Sequence, residues 1–395
     1  MISGNCGRTI KSLNFPLQPS VSHVKIQKSA RAFAAKYLPR AVVFTSRQHR
    51  QAFRAAGSKG LLGVTIAQKY GGQGMNSTSS VIVHHELSKV SPGFCLSYLA
   101  HSILFAHHFS RSASNLQKAQ ILPKICAGQK IGALALSELH AGTDIKGMQT
   151  YVRRTASGAF VLNGSKLWIT NGPIADYFLV YAIVRDAHKK STNLEKTQQI
   201  GCFLLQRGMK GLHIGPVIPK CGMQPAVMCA LTFRNVSVPR GNLVGSVLDG
   251  WKSLMSAFAI ERLNLAAMAL GIAEGCLEQM VDYARLRSTF GKPLYQHGQI
   301  QKYISEGFSE SLAAKVLIYS ISASNTLNRL ETDAAKLFTA PIAKKIADNA
   351  IQVCGAMGYS GKMNLEQFWR DAKLLEIGGG TLEAHQKNIV KDIMR

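Results

Sequence analysis

The stretch "TYVRRTASGAFVLNGSKLWIT" (150–170) decides the class of fold. Its period is two on either side of a Ser-Gly pair, which predicts two strands joined by a turn and not a helix. The same period runs outward from it. "IGALALSE" precedes it, and "YFLVYAIV", "IGCFLLQ" and "ALTFRNVSVP" follow, so residues 131–245 are predicted to form an antiparallel β domain. On both flanks the period changes to three and four. Upstream, "VKIQKSARAFAAKYL", "VIVHHELSKV" and "LQKAQILPKICAG" predict a helical domain over 22–130, after a basic extension at 1–21. Downstream, "WKSLMSAFAIERLNLAAMALGIAEGCLEQMVDYARLR" opens a second helical domain over 246–395. The order is helices, strands, helices. Without alternating strand-helix units or a G-x-G-x-x-G after a strand, a nicotinamide-binding doubly wound fold is not expected.

Composition narrows the classes. The 395 residues are 46% hydrophobic, enough for a sizeable core. No unbroken run of eighteen apolar residues occurs, so no stable membrane insertion is expected. The eight cysteines are scattered, without C-x-x-C pairs or histidines at ligand spacing, which predicts reduced thiols in an intracellular compartment and no metal site. The net charge of +26 is uneven: residues 1–86 carry 12 Lys and Arg against one acid, 87–245 carry 18 against 5, and 246–395 carry 17 against 15. These cations are dispersed singly, without a basic run or an aromatic-rich basic strand, so nucleic acid is not the expected partner. The opening "MISGNCGRTIKSLNFPLQPS" is basic and free of acids, as a short mitochondrial presequence would be.

One carboxylate stands out. Steps of three and four along the segment after 250 give Leu254, Phe258, Glu261, Leu265, Met268, Ile272, Cys276 and Met280, which sets Glu261 in an apolar stripe. Its helical neighbours Ala257, Phe258, Asn264 and Leu265 offer no cation. Either another helix supplies an ion pair, or the group is desolvated and a stronger base. Arg262 points about a hundred degrees off the stripe. Near the C-terminus, "LLEIGGGTLEAH" (374–385) sets three glycines together, where the chain turns tightly or a bulky object lies against it.

Seven segments then resemble, in order and over residues 22–393, the acyl-CoA dehydrogenase family: "YGGQG" at 70, "LPKICAGQKIGALALSELHAGTD" at 122, "NGSKLWITNG" at 163, "VPRGNLVG" at 238, "RSTFGKPL" at 287, "IQVCGAMGY" at 351 and "RDAKLLEIGGGT" at 370. The resemblance implies an α+β fold, with an N-terminal all-α domain, a middle β domain and a C-terminal four-helix bundle. It also implies FAD, an acyl-CoA substrate, electron-transfer flavoprotein as acceptor and a homotetramer, in the mitochondrial matrix or alternatively a bacterial cytoplasm.

Most members so resembled carry a catalytic glutamate where Gly379 stands; a minority, including the isovaleryl type, place it on the helix after the β domain, in a segment similar to "SAFAIERLNLAA" (256–267). The position is Glu261. Glu376, three residues before the glycine at 379, is read as structural. By the same resemblance Leu136, Ser137, Thr143, Trp168, Ile169 and Thr170 line the flavin, and Thr381, Leu382 and Glu383 close its site. Arg287 and the segment Gln352, Val353, Cys354, Gly355 and Ala356 reach the cofactor of a neighbouring subunit. Thr143, Arg262, Leu265, Gly378 and Gly379 face the substrate. A glycine at 378 leaves room for a branch near C3, and "LSYLAHS" (96–102) resembles the isovaleryl type, so isovaleryl-CoA is the expected substrate and longer branched or terpenoid thioesters the alternative. The sequence departs from the family at Leu139, Gln224, Ala226, Met228, Ala259, Gly298 and Ala356. These changes imply a further alternative: a weakened homologue acting as a structural subunit, its basic regions binding an acidic partner.

Overall fold

The computed structural model describes residues 19–38, 44–185, 199–248 and 250–395. The basic extension expected at 1–21 lies outside them except for its last three residues.

The first helical layer is built from α1 (Val21–Tyr37), α2 (Ser46–Ser58), α3 (Ser77–Ser88), α4 (Pro92–Leu99), α5 (His108–Ser112) and α6 (Asn115–Cys126). Ser20, Thr45 and Ser114 cap α1, α2 and α6, and the last two form full capping boxes with Gln48 and Gln117. Between α4 and α5 the helix runs on through a π-helical stretch, Ala100–His107. His101 there ties the layer to the sheet: one ring nitrogen faces the Ile125 carbonyl at 3.1 Å and the other accepts the Gly132 amide at 3.2 Å.

The middle domain holds β1 (Gly132–Ala135), β2 (Tyr151–Arg154), β3 (Phe160–Thr170), β4 (Tyr177–Arg185), β5 (Ile200–Gln206), β6 (Leu212–Ile214), β7 (Met228–Val238) and β8 (Leu243–Val244). They form one sheet in the order β6-β7-β3-β2-β4-β5-β8, with β1 beside β4. The Ser-Gly turn joins β2 to β3, Gly158 taking φ 79°. The antiparallel expectation holds along most of the sheet. β4, however, runs parallel to both β1 and β2. The chain reaches it by crossing from β3, which puts β4 on the far side of β2, and side-chain alternation carries no information about that direction.

The second helical layer begins with α7 (Gly250–Leu286), passes through a short hairpin of β9 (Ser288–Thr289) and β10 (Lys292–Pro293), and continues in α8 (Gly298–Ser322), α9 (Arg329–Cys354), α10 (Ala356–Tyr359), α11 (Leu365–Leu375) and α12 (Leu382–Ile393). Arg262 meets Asp333, and at Gly307 of α8 Leu277 meets Ile346, so α7 and α9 run in the same direction. By length and composition α7 could cross a bilayer, but 78% of its apolar window is buried within the protein. Residues 260–273 are buried on every side of the helix, beyond the one-sided stripe expected for it.

Candidate active site

Glu261 sits in this fully enclosed part of α7, 6% exposed, with Oε2 lacking any hydrogen-bond partner among the described residues. Burial pushes its carboxyl up to about 7, against the opposing pull of the Arg262 and Lys336 charges. Directly over it lies the triple-glycine turn. A Cβ built on Gly379 would stand 3.4 Å from Glu261 Oε1 and would overlap Leu265 Cδ1. Gly379 takes φ 67° and Gly380 φ 101°, values that glycine alone adopts without strain. Glu261, Leu265 and Gly379 are thus brought to one point from the helix and the turn. Gly378 is the open position, its added Cβ meeting only Leu374 at 3.4 Å and beyond.

Arg262, expected to face substrate, turns off the stripe into protein, where its Nη1 lies 2.7 Å from Asp333 Oδ1. The same oxygen is 3.0 Å from His385 Nδ1 on α12, and Asp333 Oδ2 accepts from Asn388 Nδ2 at 3.0 Å. One turn along α9, Lys336 donates to the Gly380 carbonyl and to His385 Nε2, the latter at 3.1 Å. Asp333, Lys336 and His385 are fully buried. Burial pulls the Lys336 ammonium down to about 8, with Glu261 and Asp333 pulling upward. None of these three residues was picked out by the sequence reading. The signal for the first two lay in α9, where Asp333 and Lys336 precede Ala340, Ala343, Ile346 and Ala350 on the buried stripe.

A second group gathers on the β domain. Lys166, 1% exposed, sets Nζ 2.7 Å from Glu138 Oε1 and donates to the Leu136 carbonyl at 2.8 Å. Glu138 also accepts the amides of Gln149 and Thr150 at 2.7 and 3.0 Å, and Leu167 N–H donates to the Ser137 carbonyl at 2.9 Å. These bonds fasten the irregular segment from Leu136 through the exposed Thr143 onto β3. A register shift between Lys166 and Ile169 then turns Trp168 outward, with φ 62° and 54% of its surface exposed. A tryptophan in that conformation costs about 1–3 kcal/mol, a strain typical of functional sites. Thr170 is half-buried, whereas Ile169 points into the sheet core and offers only its backbone. An outward indole, with Ser137 tied to the adjacent Leu167 and the Thr170 hydroxyl two residues on, fits a flat, amphipathic ring system such as a flavin. The apolar cluster joining the domains takes in both Leu136 and Phe258, the latter one turn before Glu261.

The third group lies elsewhere. Arg287 follows α7 26 residues after Glu261, roughly 39 Å along a straight helix. α9 ends at the same end of the bundle, so Gln352–Ala356 share that end. Gln352, Gly355 and Ala356 are exposed there, while the side chains of Val353 and Cys354 are buried in the helical core. Within one chain neither Arg287 nor this segment meets Glu261. Among the described residues Arg287 has no acidic partner, which leaves its charge available to an anion. Thr381 caps α12 through Ala384 N–H and Leu382 packs on the core, while Glu383 is exposed. Glu376 pairs with Lys373 at 2.6 Å. Of the departures, Gln224 bonds the Lys220 carbonyl at 2.9 Å, Ala226 and Met228 are buried, and Leu139 is exposed.

Known proteins resemble this chain in sequence and in fold. Family profiles match in sequence: the acyl-CoA dehydrogenase N-terminal domain over residues 20–129, the middle domain over 133–236 and the C-terminal domain over 248–394. The mitochondrial isovaleryl-CoA dehydrogenase of Solanum tuberosum is 34% identical over 346 residues, 87% of this chain and 82% of that protein. An acyl-CoA dehydrogenase of Bacillus subtilis (strain 168) is 30% identical over 379 residues, 94% of this chain and 97% of that one. Among solved structures, butyryl-CoA dehydrogenase from Megasphaera elsdenii superposes with a TM-score of 0.88 at 30% identity, covering 94% of this chain and 98% of that one. On this agreement of sequence and fold, the chain belongs to the acyl-CoA dehydrogenase family of flavoprotein oxidoreductases.

Proposed function

We propose that the protein carries out FAD-dependent α,β-dehydrogenation of a short branched acyl-CoA, isovaleryl-CoA to 3-methylcrotonyl-CoA, with Glu261 as the base. The observation that carries this is the carboxylate of Glu261: enclosed, with Oε2 unbonded, and directly beneath a turn whose Gly379 leaves its carboxylate uncovered by any side chain from 379. A carboxyl held near 7 is matched to removing a proton at neutral pH. Glu261 takes the α-proton of the thioester, Leu265 and the turn at 378–380 hold the acyl chain against it, and the enclosure of α7 keeps water out. Bound FAD supplies the acceptor for the hydride that leaves the β-carbon. Trp168, Ser137, Thr143 and Thr170 are the residues to hold its ring, with Ile169 contributing backbone and Thr381 to Glu383 closing the site.

Arg287 and Gln352 to Ala356 serve the cofactor of a neighbouring subunit in a homotetramer, a role supported by their separation from Glu261 along α7. Electron-transfer flavoprotein receives the electrons. The potato relative supports a mitochondrial matrix location, and the Bacillus relative a bacterial cytoplasm. The space at Gly378 favours a second reading for the substrate, a longer branched acyl group.

The test is anaerobic mixing of the yellow holoprotein with straight and branched acyl-CoA thioesters. Fastest bleaching by isovaleryl-CoA, abolished in Glu261→Ala while flavin is retained, supports the proposal. Unchanged bleaching in that variant removes Glu261 as base, and colourless protein that bleaches with no thioester supports a structural subunit instead.

A further inference from the structure

The mechanism leaves one buried cation unexplained. Lys336 is 0% exposed on α9, makes no close ion pair of its own among the described residues, and points at the turn above Glu261. Resting on the reading of Glu261 as base, we propose that Lys336 is a positioning residue: its ammonium fastens the Gly380 carbonyl, holding the glycine turn over Glu261, and its charge favours the ionised carboxylate.

The geometry gives the tether, and the Lys336 charge is one of the two that pull the Glu261 carboxyl back down against burial. Lys336 Nζ donates to Gly380 O and lies 3.1 Å from His385 Nε2, which is itself 3.1 Å from the same carbonyl, while His385 Nδ1 faces Asp333 at 3.0 Å. The ring itself limits the turn, since a Cβ on Gly380 would meet His385 Cε1 and Nε2 at 3.1 Å. Asp333 is shared with Arg262, the residue next to Glu261. The chain of contacts therefore closes on itself: Glu261 and Arg262 on α7, Asp333 and Lys336 on α9, His385 on α12, and the turn back over Glu261.

Few other charges compete there. His84 on α3, His101 and His107 in the π-helical stretch and His108 at the start of α5 are each pushed down to about 4 by burial and stay neutral. Asp371 on α11, pushed up to about 7 by burial, is engaged by the Met223 amide. Glu274 lies 13 residues further along α7, roughly 20 Å away, and is bound by His85, Lys89 and Lys315. In the turn, Glu376 is paired with Lys373. Arg262 and Lys336 are the cations acting on Glu261, and Arg262 is already matched by Asp333.

Two substitutions in the holoprotein separate tether from charge. Lys336→Met removes both; Lys336→Gln removes the charge but keeps a donor for Gly380. Bleaching by isovaleryl-CoA is followed from pH 6 to 9. A cation that favours the carboxylate lowers its pKa, so each variant should move the rising limb of the profile upward by about one pH unit, a loss of about fivefold at pH 7 that recovers in alkali. Only the Met variant should also raise KM. Profiles that superimpose on the wild type, at any rate, overturn the proposal. A non-turnover readout keeps this apart from the function itself: the infrared carboxyl band assigned by Glu261→Gln should titrate higher in both variants even if no thioester bleaches the flavin. A wild type that never bleaches defeats the functional reading alone. If neither variant folds, the wild-type band decides: followed into alkali until Lys336 loses its proton, it must shift a second time, and one unperturbed step over the whole range overturns the proposal.

Discussion

The carboxylate of Glu261 and the backbone of Gly379 occupy adjoining space: Oε1 is 3.4 Å from where a side chain at 379 would begin. A helical segment buried on all sides and a turn 118 residues later in the chain thus aim at the same spot. The geometry gives a physical account of why the turn carries glycine here, since the position above Glu261 is already filled by Leu265.

Gly379→Ala should destabilise the holoprotein by about 1–3 kcal/mol, from the left-handed backbone and the overlap with Leu265. Adding Leu265→Ala removes the overlap. Urea unfolding of the two single variants and the double should show a coupling of about 0.5 kcal/mol or more; strictly additive values would mean that the two residues do not touch.

The raised carboxyl of Glu261 makes stability depend on pH. Its folded pKa, about 7, lies above the ordinary 4.5, so its contribution is fully present below 4.5 and lost as pH rises through 7. The loss is up to about 3 kcal/mol, at about 1.36 kcal/mol per pH unit. Glu261→Gln escapes it. Thermal unfolding should find this variant more stable than the wild type at pH 8 and equal to it near pH 4.5, and the opposite order would contradict the burial.

Lys166→Met strands the Glu138 carboxylate and should cost about 3–5 kcal/mol. In the double variant with Glu138→Gln most of that returns. Chemical denaturation measures both, and equal losses in single and double variants would show that the pair is not coupled.

Trp168→Gly relieves a left-handed tryptophan and should leave the apoprotein as stable or more so, by about 1 kcal/mol. The same change should weaken FAD binding more than tenfold, read by fluorescence titration. Unaltered flavin affinity would remove the indole from the proposed ring site.

What the sequence made legible was regular. The period along α7 placed Glu261 among buried residues because a straight helix repeats its faces faithfully, and the Ser-Gly pair placed the β2–β3 turn. Arg262 was harder: its direction off the stripe was readable, but its partner Asp333 comes from a helix that begins some seventy residues later. His385 joins them only because α12 returns across α9. Trp168 reads as one more member of an alternating strand, and the register slip that turns it outward depends on pairing with β7. Strand direction was hidden in the same way, since alternation is identical for β4 parallel or antiparallel to β2.

The close approach of Gly379 to Glu261 also bears on descent. Two acids in that space would repel and hinder each other's ionisation, so an ancestor could not have gathered a second one at leisure. Under the proposed role of Glu261, moving the base from the helix to the turn would be an exchange, passing through a crowded or an acid-free intermediate.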